Sequence, residues 1–533
     1  MNKKIFYSFK WLFIIPILFW NLGIHEMGQT KHHIIPADTL TIIHVNDTHS
    51  NLLPYASGQR GGLARAATVI SSWKAREPNP ILLHCGDFMV GTLMFNRYFG
   101  VPELQLLDQL GFDALLLGNH EFDVGSQQLG EILSSAGLSA HFHILCSNAR
   151  NLSAVPQLAS RVTPHIIIQR RNLKIGLFGL TTPATNVESR PAPVFLDTAL
   201  VAVAQREIEA LHRQGAQVVI MLSHLGLPLD RQLAADLNGV DAIIGGHTHS
   251  VLQQPVMVND IPIVQAGEFY HYVGKLRLVF DGTSTRLLDY TLKEIDASVP
   301  ELPAVARAIA ELKQGVVDAF TPVLGNPYQP LAENDTLLSH IPELPEKPTT
   351  DVGRLVTAAM RWFRPAADYA LEPTGHIVED LYPGEITAAD LFRVYPYGYD
   401  SSDHLGFRIV TFQLSGRQIS GILSELTRYI DPKNQRFDYL MQSDGLHFTL
   451  KKEDEKLSLN TVTIGNQSLQ PDSIYTIVSS SQTAEYLPAL FHIQPANLTT
   501  YSVSVVQVVT EFVKHHETSF KRIQQTNTFN QSH

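Results

Sequence analysis

Short apolar runs punctuate the first half of the chain, and each stops close to a Gly, Asn, Asp or His. Leu40-Thr41-Ile42-Ile43 precedes Asp47, Ile81-Leu82-Leu83 precedes Asp87, and Ala114-Leu115-Leu116-Leu117 precedes Asn119. Val218-Val219-Ile220-Met221 and Ala242-Ile243-Ile244 stand in the same way before His224 and His247. Runs this short, almost purely apolar and bounded by turn-forming residues, read as buried strands. Residues 61–76 and 198–214 instead carry apolar positions at helical spacing. Strands alternating with such helices predict an α/β domain in which helices cover a sheet.

The texture changes from about Ser298. Pro300 and Pro303 lead into a helical run, Ala304 to Lys313, and prolines cluster at 322, 327, 330, 342, 345 and 348. That cluster marks a boundary. The expected organisation is a first domain over 38–295, a linker over 296–321 and a second domain over 322–520. In the second domain Val352 to Phe363 predicts a helix, and Ile409–Leu414 and Ile474–Val478 predict strands.

A chain of 533 residues with 44% hydrophobic and 17% charged composition has the material for more than one core. Its formal net charge of −11 argues against a general nucleic-acid binder, which normally presents a basic surface. At the N-terminus Lys3, Lys4 and Lys10 precede an apolar stretch from Trp11 to Phe19. This pattern predicts a secretory signal over 1–29, ending near Met27-Gly28-Gln29-Thr30, and hence an exported, periplasmic or cell-surface protein. The alternative is an uncleaved membrane anchor. No Cys follows the apolar stretch to accept a lipid. Cys85 and Cys146, each at the end of an apolar run, read as two buried free thiols, with a disulfide as the alternative. Strand alternation would turn Cys85 to the same face as Asp87, but thiolate suits different metals and Cys85 stays outside the ligand set.

The five strand ends carry Asp47-Thr48-His49, Gly86-Asp87, Gly118-Asn119-His120-Glu121, Ser223-His224 and Gly246-His247-Thr248-His249. Hard carboxylate oxygens and neutral imidazoles converging at one sheet edge are what a two-metal hydrolase requires, with ions about 3.5–4 Å apart and one ligand shared. Open α/β sheets place their sites beyond the carboxyl ends of the strands. Any one motif alone reads equally well as a polar turn, and among 23 histidines many are structural. Five in a common setting are a different matter.

The run Gly86-Asp87-Phe88-Met89-Val90-Gly91-Thr92, with Gly118-Asn119-His120-Glu121-Phe122-Asp123 and Gly245-Gly246-His247-Thr248-His249, resembles the 5′-nucleotidase branch of the calcineurin-like metallophosphoesterases. The resemblance implies a four-layer α/β/β/α domain followed by a C-terminal α+β domain. It implies one ion held by Asp47, His49, Asp87 and His249 and another by Asp87, Asn119, His224 and His247, with Asp87 bridging. The last position of the first set varies within the family. The ions would be Zn, Mn, Fe or Mg, which the ligand chemistry leaves open. Water held between two cations becomes acidic enough to attack a phosphoryl group. By the same resemblance His120 faces the phosphate and Asp123 orients its ring. A carboxylate at that spacing would favour the protonated imidazole, although Asp123 also suits a turn or a helix cap. Glu121 is given no chemistry.

The second domain resembles the nucleoside-binding domain of that family at Ala367-Asp368-Tyr369-Ala370-Leu371, Pro383-Gly384-Glu385-Ile386-Thr387 and Ser443-Asp444-Gly445-Leu446-His447-Phe448. Elsewhere it departs. Where the family has an Asn, glycines and a phosphate-binding Arg, this chain reads Pro373-Thr374-Gly375-His376-Ile377-Val378, with Val378 at the Arg position. Tyr399 replaces an Asn after Pro396-Tyr397-Gly398, and Glu485-Tyr486-Leu487-Pro488-Ala489 stands where a glycine-rich loop is expected. Losing a charge-assisted contact of roughly 1.5–3 kcal/mol weakens phosphate binding by one or two decades. Asn119, Tyr397 and Tyr399 are candidate substrate contacts, since a base stacks on any suitably placed aromatic; the tyrosines fit a core or interface role as well. The leading expectation is a metal-dependent hydrolase of nucleotides or related small phosphate esters. Alternatives on the same site are a cyclic-nucleotide phosphodiesterase, a sugar-nucleotide hydrolase and a thiosulfohydrolase, and from another class a binding protein without turnover. The Pro-rich segment 322–349 is a candidate hinge by analogy with the family.

Overall fold

The computed structural model describes residues 38–516, apart from 56–58, 78–79, 346, 433–436 and 454–455. The expected signal or anchor over 1–29 lies outside the described residues. Among those described, no helix is long and apolar enough to cross a membrane.

Five parallel strands carry the candidate site: β1 (Thr39–Val45), β2 (Ile81–His84), β3 (Ala114–Leu116), β4 (Val218–His224) and β5 (Ala242–Ile244). β1, β2 and β3 are adjacent in a seven-stranded sheet, paired in parallel as Ile43↔Leu82 and Leu83↔Ala114. β4 and β5 are adjacent in a six-stranded sheet, paired as Met221↔Ile243. Parallel register sends every carboxyl end to the same edge of its sheet, so ligand-bearing loops accumulate there.

The two sheets pack face to face. Leu40, Ile42, Leu83 and Leu116 of one meet Ile175, Leu177, Ile220 and Ile244 of the other in a common core. Helices cover the outer faces. In Leu63–Arg76 the buried residues Leu63, Ala66, Ala67 and Ile70 recur at one-turn spacing and bury one stripe on the first sheet. Leu200–Arg213 does the same on the second, with Val203, Ala204, Ile208 and Leu211. The result is the four-layer α/β/β/α arrangement.

Helix Pro303–Leu324 follows. It is twice as long as the expected helical run and passes through Pro322, which lies in its last turn; proline at that depth removes one hydrogen bond but leaves the preceding turns intact. The C-terminal part is α+β. Its five-stranded sheet has the order Met441–Asp444, Tyr369–Pro373, Ile474–Ser480, Arg408–Ser415, Ala496–Ser504. Its helices start on side-chain caps: Thr350 accepts from Gly353 N, and Ser415 with Gln418 and Ser504 with Gln507 form reciprocal capping boxes.

Candidate active site

The loops after β1 to β5 bring two groups of side chains together. Asp47, His49 and His249 offer atoms within 4.8 Å of one another, and so do Asp87, His224 and His247. Asp87 lies between the groups: its Oδ2 is 2.9 Å from His224 Nε2 and 3.7 Å from His49 Nε2. Asn119 Oδ1 is 3.2 Å from His224 Nε2. Thus all seven residues expected to hold ions converge on one locus.

The backbone is bent to make this possible. Asp47, His49, Asp87, His247 and His249 have φ of 50°, 47°, 56°, 75° and 52°. This left-handed region is open to Asp and His more than to most residues, yet costs on the order of 1 kcal/mol each. The bend also ends strand alternation, so Cys85 does not share a face with Asp87. Its side chain packs between the two sheets, and burial pushes its thiol well up. Cys85 and Cys146 are both free and buried. Gly86, at φ 89°, has no room for a Cβ, which would stand 2.5 Å from His224 Nδ1.

Partners behind the ligands fix each donor atom. His224 donates through Nδ1 to Cys85 O at 2.7 Å, leaving Nε2 to face the acidic groups. His49 Nδ1 is 3.2 Å from Val90 O, and its Nε2 is buried without a hydrogen-bond partner. Asp47 Oδ2 accepts from Asn46 Nδ2 at 2.6 Å and from His247 N at 3.0 Å. His249 pairs through Nδ1 with Glu268 and lies 3.4 Å from Asp47 through Nε2. Glu121 accepts from the backbone N–H groups of Asp87, Phe88, Met89 and Gly118 at 2.5–3.1 Å. It therefore shapes the Asp87 loop, a role invisible in a motif string. Asn46 and Glu268 were also missed. Glu268 gave no signal, being nineteen residues past His249; Asn46, beside Asp47, was readable only as a turn residue.

The electrostatics suit a cation. Burial holds His49 near 4 and His247 near 3, neutral as ligation requires. Burial also opposes charge on His224, but Asp87 and Asp47 outweigh it and raise His224 to about 9. The carboxylates that favour a proton there favour a divalent ion in the same place. The orphaned His49 Nε2 and the convergent oxygens thus fit two divalent ions, with seven hard or borderline donor residues for Zn, Mn, Fe or Mg.

His120 is beside this cluster, its backbone N donating to Asp87 Oδ1 at 3.0 Å. Its Nδ1 meets Asp123 Oδ2 at 2.7 Å. Burial works against the imidazolium, but Asp123 and Asp87 raise the ring to about 10. The Tyr397 ring lies nearly parallel to it, 5.4 Å between centroids and 16° between planes. Tyr399 is half exposed and packs edge-on against Phe99 at 5.1 Å, which ties the two halves of the chain together. A cavity of about 1800 Å³ opens from the ligand cluster into the C-terminal part, lined by His120, Tyr397, Tyr399, Val378, Arg393 and Tyr486 among others. Tyr486 sits in helix Ser481–Phe491. The Arg393 guanidinium stacks on Tyr55 at 3.4 Å, a cation on the same cavity wall where Val378 supplies none.

Comparisons with known proteins bear on both halves. Residues 40–251 match the family model for calcineurin-like phosphoesterases, and residues 339–485 match that for the 5′-nucleotidase C-terminal domain. A 5′-nucleotidase of Diplobatis ommata is 30% identical over 312 residues, 54% of this chain and 54% of that protein. A trifunctional nucleotide phosphoesterase protein of Bacillus subtilis is 26% identical over 423 residues, 72% of this chain and 27% of that protein. The chain spans about half the length of the first of these curated relatives, and less of the second. Among solved structures, a 5′-nucleotidase precursor from Thermus thermophilus superposes with a TM-score of 0.78 at 26% identity, covering 90% of this chain and 97% of that one.

Proposed function

We propose that this chain, which belongs to the calcineurin-like phosphoesterases carrying a 5′-nucleotidase C-terminal domain, is a dinuclear-metal phosphomonoesterase acting on nucleoside 5′-monophosphates or closely related esters. The carrying observation is that two three-residue ligand groups adjoin one another on the wall of the cavity that also holds His120.

In this reading Asp47, His49, Asp87 and His249 hold one divalent ion, and Asp87, Asn119, His224 and His247 hold the other. Bound there, two divalent ions acidify water and neutralise charge building on the phosphoryl oxygens. The chain's own residues do the rest. Glu121 and Asn46 fix the loops that aim the two aspartates. His120, kept protonated by Asp123, faces the phosphoryl group and supplies a proton to the leaving oxygen. Tyr397 lies over His120 and offers a flat surface to the leaving group. The basic start and apolar stretch within residues 1–29 support export to the periplasm or cell surface. The acidic net charge supports a small-molecule substrate over nucleic acid.

The test is a substrate panel on the purified chain: AMP, a sugar phosphate, a cyclic nucleotide and a thiosulfate adduct, each with Mn²⁺, Zn²⁺ or Mg²⁺. Phosphate release should be fastest from AMP, stop on chelation with EDTA and return when the ion is restored. Turnover unaffected by exhaustive chelation, or confined to the thiosulfate adduct, refutes this function.

A further inference from the structure

The segment that departs from the family pattern around residues 373–378 in the C-terminal part adjoins a buried carboxylate that holds an imidazole. Glu372, on strand Tyr369–Pro373, is fully buried. Its two oxygens accept from Tyr395 Oη at 2.6 Å, Ser480 Oγ at 2.8 Å, Ser480 N and Ser479 Oγ at 3.1 Å, and Thr483 Oγ1 at 3.3 Å. The remaining contact is His376 Nδ1 at 2.5 Å. Burial works against charge on Glu372, yet the donors from His376, Tyr395 and Ser480 hold its carboxyl below the ordinary range. A carboxylate this well supplied fixes what it touches. Because His376 Nδ1 must donate to it, Nε2 is the atom left for another partner.

The ring belongs to the cavity wall. His376 lines the cavity together with Tyr397, Phe407 and Tyr486, whose ring centroids lie 6.4, 5.1 and 5.9 Å from its own. Tyr397 is also the ring 5.4 Å from His120. One aromatic ring is thus common to the residue beside the reacting phosphoryl group and to His376. Through that ring the two imidazoles face one cavity, 5.4 and 6.4 Å from the Tyr397 centroid. The phosphoryl end is taken by the ligand cluster and His120, so what reaches His376 is the leaving group. Once a ligand closes off the cavity, an Nε2 without a partner would be a buried, unpaired polar atom. A ligand that pairs with it is favoured over one that does not by roughly ten- to a hundredfold.

We propose that His376, held by Glu372, is a specificity-determining residue, whose Nε2 hydrogen-bonds a heteroaromatic ring carried by the leaving group and discriminates against aryl or alkyl phosphates without one. This rests on the phosphomonoesterase reading and extends it to the leaving group. The test compares the metal-loaded full chain with H376F and H376Q on AMP and on 4-nitrophenyl phosphate, which has no matching edge. H376F should lower kcat/KM for AMP by at least about tenfold, mainly through KM, and leave 4-nitrophenyl phosphate within about twofold. H376Q, which keeps an amide on that wall, should fall between H376F and the wild type and serves where H376F does not fold. Equal losses on both substrates would mark His376 as a packing residue and overturn the proposal; so would no loss on either. Binding of adenosine by equilibrium dialysis gives a readout independent of turnover. Weaker adenosine binding by the variants supports the proposal even if no ester is hydrolysed, and unchanged binding overturns it.

Discussion

At the scale of single residues, the candidate site is a set of side chains on strained backbone, kept there by neighbours that hold no ion. Asp87 is the clearest case: it is left-handed at φ 56°, its loop is gripped by Glu121, and it lies between both ligand groups. Asp87→Asn keeps the shape but removes the charge shared between the groups. Phosphate release should fall by at least about a hundredfold, with bound metal, measured by atomic emission, falling below two ions per chain. His120→Ala should cost a similar factor in kcat while leaving metal content unchanged. A second buried acid makes a prediction about stability alone. Glu103 accepts from Thr48 Oγ1 at 2.8 Å and Tyr270 Oη at 2.7 Å, leaving Oε2 unpartnered, and burial raises it from 4.5 to about 7. Between those values the unfolded chain has released a proton that the folded chain still holds, so stability falls as pH rises across the window and levels off above it. Glu103→Gln, which copies the protonated form, should match the wild type in urea at pH 4.5 and exceed it by about 3 kcal/mol above pH 7. The ligands were legible because their chemistry is carried by residue type and by position after apolar runs. Glu121, Glu268 and Asn46 were not, because orienting roles depend on which backbone group or imidazole happens to lie opposite.

At the scale of elements, the strand ends act as a jig. A Cβ on Gly118 would collide with Asp87 Oδ1 and stand 2.7 Å from Asp87 N. Gly118→Ala should therefore displace the loop after β3 against the loop after β2 and cut turnover by on the order of a hundredfold. Glu268 acts on the loop after β5 in a gentler way. Replacing it with Gln removes the anionic partner of His249, and the affinity of the site for its ion should drop by ten- to a hundredfold in a competitive chelator titration. The periodicity of Leu63–Arg76 and Leu200–Arg213 was visible in sequence because one face of each helix is buried. The helix Pro303–Leu324 was read short, since proline content outweighed the apolar stripe Val305, Ile309, Val316, Phe320 and Leu324 that holds it to the core. The strand Ala496–Ser504 escaped notice because it is an edge strand, mostly exposed, with little apolar alternation to betray it.

At the scale of the whole molecule, one apolar cluster runs from Ile43 and Leu63 through Val316 and Phe320 to Val352, Leu391 and Val509. It crosses from the α/β/β/α layers to the C-terminal part without interruption. Tyr55 Oη donates to Asp380 O at 2.9 Å, and Asn96 Nδ2 to His404 O at 2.7 Å, across the same seam. A continuous core predicts cooperative loss. Trp73 and Trp362, one on each side of the seam, should report the same urea midpoint when each is retained as the sole tryptophan of the chain. The seam also bears on timing. Tyr397 of the C-terminal part lies nearly parallel to His120 across the seam, 5.4 Å between centroids, so under the proposed function a leaving group held between the halves would be released as they separate. Such a separation would displace large packed surfaces rather than make or break a covalent bond. Raising solvent viscosity with sucrose should slow kcat for a fast substrate nearly in proportion and leave a sluggish one untouched, which would make escape of product, not chemistry, the clock of the cycle.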